Sequence, residues 1–291
     1  MEIALHIGAN CTDEDKLLKS LLKNADSFSK LGIKVPGPSK YRRILRETIQ
    51  NLDGAQPERA TRDYVRDVII DGDVPDRLIL SNSNFLCVAN RIFDGGAFYG
   101  QTEGKLRSMS KLFPDVNFEV FIGLRNPATF LPAALSKSKT TTLDAFMKGF
   151  HPTHIRWSDI IRRIKHVMPN AKVNAWCNED TPLIWPELIR AFADLPDNQQ
   201  ITGGFDLLAK IMAPDGMKRM LDYMRVNPPK SEAHKRRVIA AFLDKYALDD
   251  EIEETVDLPG LDEKMIEDLT EIYDQDVEMI SQMEGIRFIE P

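Results

Sequence analysis

Residues 6–18, HIGANCTDEDKLL, run from an apolar stretch through a glycine into three successive carboxylates, Asp13, Glu14 and Asp15. The run at 3–7 reads as a short buried strand and Gly8 as a tight turn. Residues 13–24 read as a helix with Leu17, Leu18, Leu21 and Leu22 on one face. A helix start of this kind exposes unpaired N–H groups and the positive end of the macrodipole, so it attracts phosphate or, failing that, carboxylate. Two readings follow. In one, Thr12 or Asp13 is the N-cap, Thr12 to Asp15 forms a capping box with Asp in place of Glu, and the helix satisfies its own anion site; a cap of this type contributes about 0.5–2 kcal/mol. In the other, the loop still receives a phosphate or sulfate.

Few other residues have chemistry at a useful spacing. His6 lies on the first strand, where a histidine is more often a satisfied core residue than a base. His151 and His154 stand three apart across a proline, the spacing of a metal pair, but no further ligand of suitable spacing accompanies them and no metal site is expected. Glu179 and Asp180 follow a strand and are read as caps of the next helix rather than as an acid and base. Trp157, Trp176 and Trp185 each fall in an apolar pattern and belong to the core.

The elements that must position these residues alternate. Strands are expected at 77–81 (RLILS), at 118–124 (FEVFIGL, β-branched and aromatic, hence central) and at 171–176 (AKVNAW). Helical patterns at 40–51, 57–68, 102–112, 127–148 and 157–167 separate or follow them, and WPELIRAFADL after the fourth strand reads as one more. That alternation implies parallel pairing with right-handed crossovers, hence an α/β chain whose central parallel sheet is covered by helices on both faces. From about 204 the pattern turns helical, over 204–226, 231–247 and 262–283, and closes on the strand candidate IRFI. The whole is read as a single domain, an α/β core over 1–200 with a mainly helical portion over 201–291 packed on it. The acidic run at 248–260 reads as a solvated connection.

Bulk composition narrows the function. With 38 basic against 45 acidic residues the chain carries a net charge of −7, which argues against a general nucleic-acid or anionic-membrane surface and leaves room for a local basic pocket. Cys11, Cys87 and Cys177 lack the paired spacings of a zinc site or disulfide framework and are expected as reduced thiols. No stretch approaches the roughly 18 apolar residues of a membrane span, and no signal pattern opens the sequence. A soluble, cytoplasmic protein with neither nucleic-acid nor membrane partners is expected.

The first strand with its glycine loop, GLRNPATFL after the central strand, WSDIIRRI, NEDTPLIWPEL and the closing YDQDVEMISQMEGIRFIEP together resemble the bacterial sulfotransferase family, over nearly the whole chain. The resemblance implies a P-loop-like, helix-sheet-helix fold and sulfuryl transfer from 3′-phosphoadenosine 5′-phosphosulfate to a hydroxyl or amine, on a small-molecule or saccharide acceptor. It places the cofactor's 5′-phosphosulfate on Gly8, Ala9, Asn10, Cys11 and Thr12, with Lys16 as the nearby cation, and its 3′-phosphate on Arg125 with Ser136. Bottom-up, Arg125 sits at the C-terminal edge of the central strand, where open α/β sheets bind ligands, and a guanidinium fork suits a phosphate; the competing reading is a structural arginine that caps neighbouring carbonyls.

This sequence departs from the family pattern at the places that matter most. Cys11 stands where the loop lysine is expected, Asp13 where the glycine is, and Glu14 and Asp15 where two hydroxyl residues are. A carboxylate about 4 Å from a phosphate costs on the order of 1 kcal/mol in water and about 4 at an effective dielectric near 20. Ala133 replaces the serine that accompanies the arginine, with Ser136, Lys137 and Ser138 farther along. Ser83 or Asn84 occupies the position of the expected catalytic glutamate, and neither is a useful base alone, which leaves His6, His151 and His154 as further candidates. Three functions therefore stay open: a divergent sulfotransferase, a catalytically inactive binding or assembly module, and an enzyme acting on a different, less anionic ligand.

Overall fold

The computed structural model describes residues 1–252 and 258–291. The centre of the acidic run read as a solvated connection lies outside the described residues. Six parallel strands, β1 (Glu2–Gly8), β2 (Ile33–Lys34), β3 (Arg77–Ser81), β4 (Asn117–Leu124), β5 (Lys172–Cys177) and β6 (Ile286–Phe288), form one sheet in the order β2-β3-β1-β4-β5-β6. The expected α/β class, a central parallel sheet between helical layers, is the one observed.

Strand periodicity explains the two layers. On β1, Ile3, Leu5 and Ile7 face one core while Ala4 faces the other; on β4, Val120, Ile122 and Leu124 oppose Phe121 in the same way, as Val173 and Ala175 oppose Trp176 on β5. A strand buried on both faces reads as a continuous apolar run, which is why these were legible. The first core receives the helices Pro38–Leu52, Arg59–Ile70, Thr102–Leu112, Pro127–Ser136, Trp157–Val167 and Glu263–Ser281; the second receives Lys16–Leu22 and Thr181–Ala193. Each fully buried Leu or Ile contributes about 1.5–3 kcal/mol of transfer free energy. A third apolar cluster, with Met212, Met220 and Ile239, joins the helices Pro214–Val226 and Glu232–Tyr246. All three tryptophans are buried.

Several boundaries differ from the sequence reading. β2 is a two-residue edge strand beside β3 that no apolar run announces. The pattern at 127–148 is two helices, Pro127–Ser136 and Leu143–Met147, because the Ser/Thr-rich stretch between them favours turns. The pattern at 204–226 likewise divides, at Pro214, which opens its own helix. The first helix begins at Lys16 rather than near Asp13, since Glu14 and Asp15 both have left-handed backbone (φ 48° and 64°) that cannot continue into a helix.

Candidate functional site at the C-terminal sheet edge

β1 lies between β3, reached first by the chain, and β4, to which the chain crosses later, so the loop after Gly8 leaves the sheet where strand order reverses. That is where open α/β sheets form a ligand crevice. Gly8 has φ +117°, and a Cβ there would meet the Ser83 carbonyl oxygen at 2.7 Å; a side chain has neither room nor an allowed conformation. The ends of β1 and β3 are thus held in direct contact.

The loop is occupied by its own chain. Ala9 N–H donates to the Gly123 carbonyl (3.1 Å) and Lys16 N–H to the Asp13 carbonyl (2.8 Å). Asn10, buried, donates its backbone N–H to the Tyr99 hydroxyl (3.0 Å), accepts from that hydroxyl at Oδ1 (2.6 Å), and donates from Nδ2 to Asn84 Oδ1 (2.6 Å) and the Cys87 carbonyl (3.1 Å). Thr12 Oγ1 donates back to the Ala9 carbonyl (2.8 Å). Neither Thr12 nor Asp13 occupies the N-cap position; Asp15 does, and the capping box does not form. Asp13 still serves the helix, because its Oδ2 accepts from Leu17 N–H (3.2 Å).

Glu14 and Asp15 each find a cation from outside the loop. The Lys137 ammonium bonds Glu14 and holds its carboxyl below the usual range against the opposing effect of burial. Arg42, on the helix Pro38–Leu52, grips Asp15 through both nitrogens (2.8 and 2.6 Å) and lowers that carboxyl in the same way. The loop carboxylates therefore bind a helix N–H, an ammonium and a guanidinium that the protein supplies itself.

Arg125 is nine-tenths buried. It donates from Nη1 to the Cys11 carbonyl and from Nε to Thr129 Oγ1 (3.2 Å), while its own carbonyl accepts from Trp157 Nε1 (2.9 Å). The bond to the Cys11 carbonyl is a contact of the kind the carbonyl-capping reading describes. Ser136 is exposed at the end of its helix and donates to the Ala133 carbonyl (2.8 Å).

The remaining candidates are dispersed. His6 is completely buried, its Nδ1 2.9 Å from Ser81 Oγ and its ring against Trp176 and Phe192, and burial pushes its pKa down. His151 and His154 are exposed, with ring centroids 5.5 Å apart. Among the described residues no group of three or more metal-ligating side chains occurs. Asp180 occupies the N-cap position of the helix Thr181–Ala193, as expected, though without a side-chain cap bond, whereas Glu179 accepts from Asn126 N–H (2.8 Å) and the Tyr273 hydroxyl (3.0 Å), tying the end of β4 to the C-terminal helix. Asn126, not expected as a cap, caps its own helix through Ala128 N–H (2.9 Å).

A cavity of about 380 Å³ lies beside the loop, lined by Cys11, Glu14, Asp15, Ser83, Asn84 and Lys137 among others. The two site residues that sequence reasoning missed, Arg42 and Tyr99, lie 27 and 89 residues from their loop partners, and no local signal marks either.

A phosphosulfate nucleotide does not fit these residues. Cys11 stands where the sequence resemblance expects a loop lysine, three carboxylates stand at the helix start, and Arg125, Arg42 and Lys137 are engaged by Cys11, Asp15 and Glu14. No protein-family model matches the sequence, and no curated protein sequence does. Among solved structures, the crystal structure of a sulfotransferase from Alicyclobacillus acidocaldarius is similar, at 14% identity and a TM-score of 0.42 over 83% of this chain and 98% of that one. A likeness of that size decides neither fold nor chemistry, and the parallel sheet stands on its own hydrogen-bond register. No helix among the described residues is long and apolar enough to cross a membrane.

Proposed function

We propose that this chain is a binding module on a sulfotransferase-like scaffold, with its cofactor loop closed by its own side chains and no sulfuryl transfer. One observation carries the reading: the three carboxylates at the helix start are each held by a partner from within the chain, while Arg125 is turned onto the loop carbonyl of Cys11. An incoming phosphate would have to break two ion pairs and then sit among the carboxylates they released.

Catalysis by the same cavity is also disfavoured. Ser83 and Asn84 are poor bases, and Glu14 and Asp15, the carboxylates that line the cavity, are held below the usual range by Lys137 and Arg42, which makes them weak proton acceptors. His6 is sealed from the cavity by complete burial.

Thermal unfolding with and without millimolar adenosine 3′,5′-bisphosphate, the desulfated cofactor product, tests the reading. A ligand at about 100 times its dissociation constant adds roughly 2.7 kcal/mol, worth several degrees in a chain of this size. No shift is expected; a saturable upward shift would overturn the closed loop.

A further inference from the structure

A second cavity, of about 270 Å³, opens between the end of β3 and the helices Pro38–Leu52 and Thr102–Leu112, and shares Asn84 with the cavity at the loop. Its floor is apolar, built from Leu45, Ile49, Leu80 and Phe85. Its walls carry Arg42, Arg46, Arg91 and Lys105, and among the described residues no Asp or Glu lines it. Four cations without a carboxylate are notable in a chain with more acidic than basic residues.

Two of the four are committed elsewhere. Arg42 holds Asp15, and Arg91 Nε bonds Asp94 at 2.7 Å. No hydrogen bond or ion pair among the described residues engages the Lys105 ammonium or the Arg46 guanidinium. Lys105 is half-buried, and its burial, with Arg91 and Arg46 pushing the same way, brings the ammonium below the usual lysine range. Like charges gathered over an apolar floor are costly to fold and are relieved when an anion joins them. The packing of the helix Thr102–Leu112 does not require a charge at that position, since Leu106, Met109 and Leu112 supply its buried face.

We infer that this cavity binds a small organic anion with an apolar body, its carboxylate or phosphate held by Lys105 and Arg46 and its hydrocarbon laid on Leu45, Ile49, Leu80 and Phe85. This names the ligand class of the binding module and rests on that reading; the two fail separately, because bisphosphate binding tests the loop and the titrations below test the cavity.

Calorimetric titration of the full chain with octanoate, with octyl phosphate and with neutral 1-octanol makes the test. Saturable binding of at least one anion at millimolar concentration, with octanol bound at least tenfold more weakly, is expected; the arm that binds identifies the head group. Lys105→Met keeps the apolar stem and should weaken the bound anion about tenfold or more, as the loss of a charge-assisted hydrogen bond does. Arg46→Gln, at an exposed helical position, should weaken it as well and provides a second variant should the first unfold. Failure of both anions to bind, equal binding of octanol, or unchanged affinity in both folded variants would overturn the inference.

Discussion

Arg42 and Asp15 form a two-pronged ion pair, Nη1 to Oδ2 at 2.8 Å and Nη2 to Oδ1 at 2.6 Å, while the same guanidinium donates to the Ser81 carbonyl from Nε (3.0 Å) and Nη2 (2.8 Å). One side chain thereby ties the helix Pro38–Leu52 to the loop after β1 and to the end of β3. Both partners remain partly exposed, 25% and 38%, so solvent screens the attraction and the fork geometry supplies much of its value. A double-mutant cycle with Arg42→Met and Asp15→Asn, read by urea unfolding, should return a coupling of about 1 kcal/mol, at the upper end for surface pairs. A coupling indistinguishable from zero would mean that the pair does not hold the loop.

If the carboxylates have taken an anion's place, removing them should reopen the site. The variant Cys11→Lys, Asp13→Gly, Glu14→Thr, Asp15→Thr removes three negative charges, adds one positive charge, and frees Lys137 and Arg42. Its affinity for adenosine 3′,5′-bisphosphate should exceed that of the native chain by at least about tenfold, the effect of relieving roughly 1.4 kcal/mol of repulsion. Equal affinities in equilibrium dialysis would show that the loop carboxylates are not what excludes the nucleotide.

Arg125 is expected to matter for stability rather than for affinity. Its truncation to Ala removes the bond to the Cys11 carbonyl and opens space beneath a loop whose residue 11 is already in left-handed backbone, φ 58°. The loss of a buried, charge-assisted hydrogen bond costs about 1.5–3 kcal/mol, read as a lower unfolding midpoint in urea. Lys should rescue only part of it, because a single ammonium cannot donate to both Cys11 and Thr129 in the fork's geometry. A native midpoint for Arg125→Ala would refute the structural role.

The sheet was legible because β1, β3, β4 and β5 are buried on both faces and so read as apolar runs; the helices between them followed from their stripes. The site was legible in position but not in content. Glycine at position 8 and the carboxylates after it announced an anion geometry that the chain satisfies itself, yet which cation meets which carboxylate depended on contacts as distant as Lys137 to Glu14 and Arg42 to Asp15. Capping rules predicted Thr12 or Asp13 as the N-cap because they score local patterns. They have no means of registering the Arg42–Asp15 ion pair or the left-handed backbone at Glu14 and Asp15, after which the helix begins at Lys16. Tyr99 was silent for the same reason, and Asn10, expected on the phosphate loop, gave no sign of its partner: an Asn in a loop and a Tyr before a helix carry no mark of a reciprocal pair of hydrogen bonds between them.

His6 should set the pH dependence of stability on the mildly acidic side. It is completely buried between Trp176 and Phe192, its Nε2 has no hydrogen-bond partner among the described residues, and burial lowers its pKa from 6.5. The unfolded chain therefore takes up a proton at pH values where the folded chain does not, and stability present above about 6.5 is lost as pH falls, by up to about 1.4 kcal/mol per unit. Glu14 and Asp15, whose pKa values are lowered by Lys137 and Arg42, add a loss of the same sign only as pH drops below about 4, the ordinary carboxylate range. Between pH 6.5 and 5 the buried imidazole should thus dominate these contributions. His6→Phe keeps an aromatic ring against Trp176 and Phe192, at the cost of the Ser81 contact, and should be less stable at neutral pH but with a flatter slope. Urea unfolding of both proteins at half-unit steps checks this, and parallel slopes would mean that His6 takes up its proton in the folded protein as readily as in the unfolded chain.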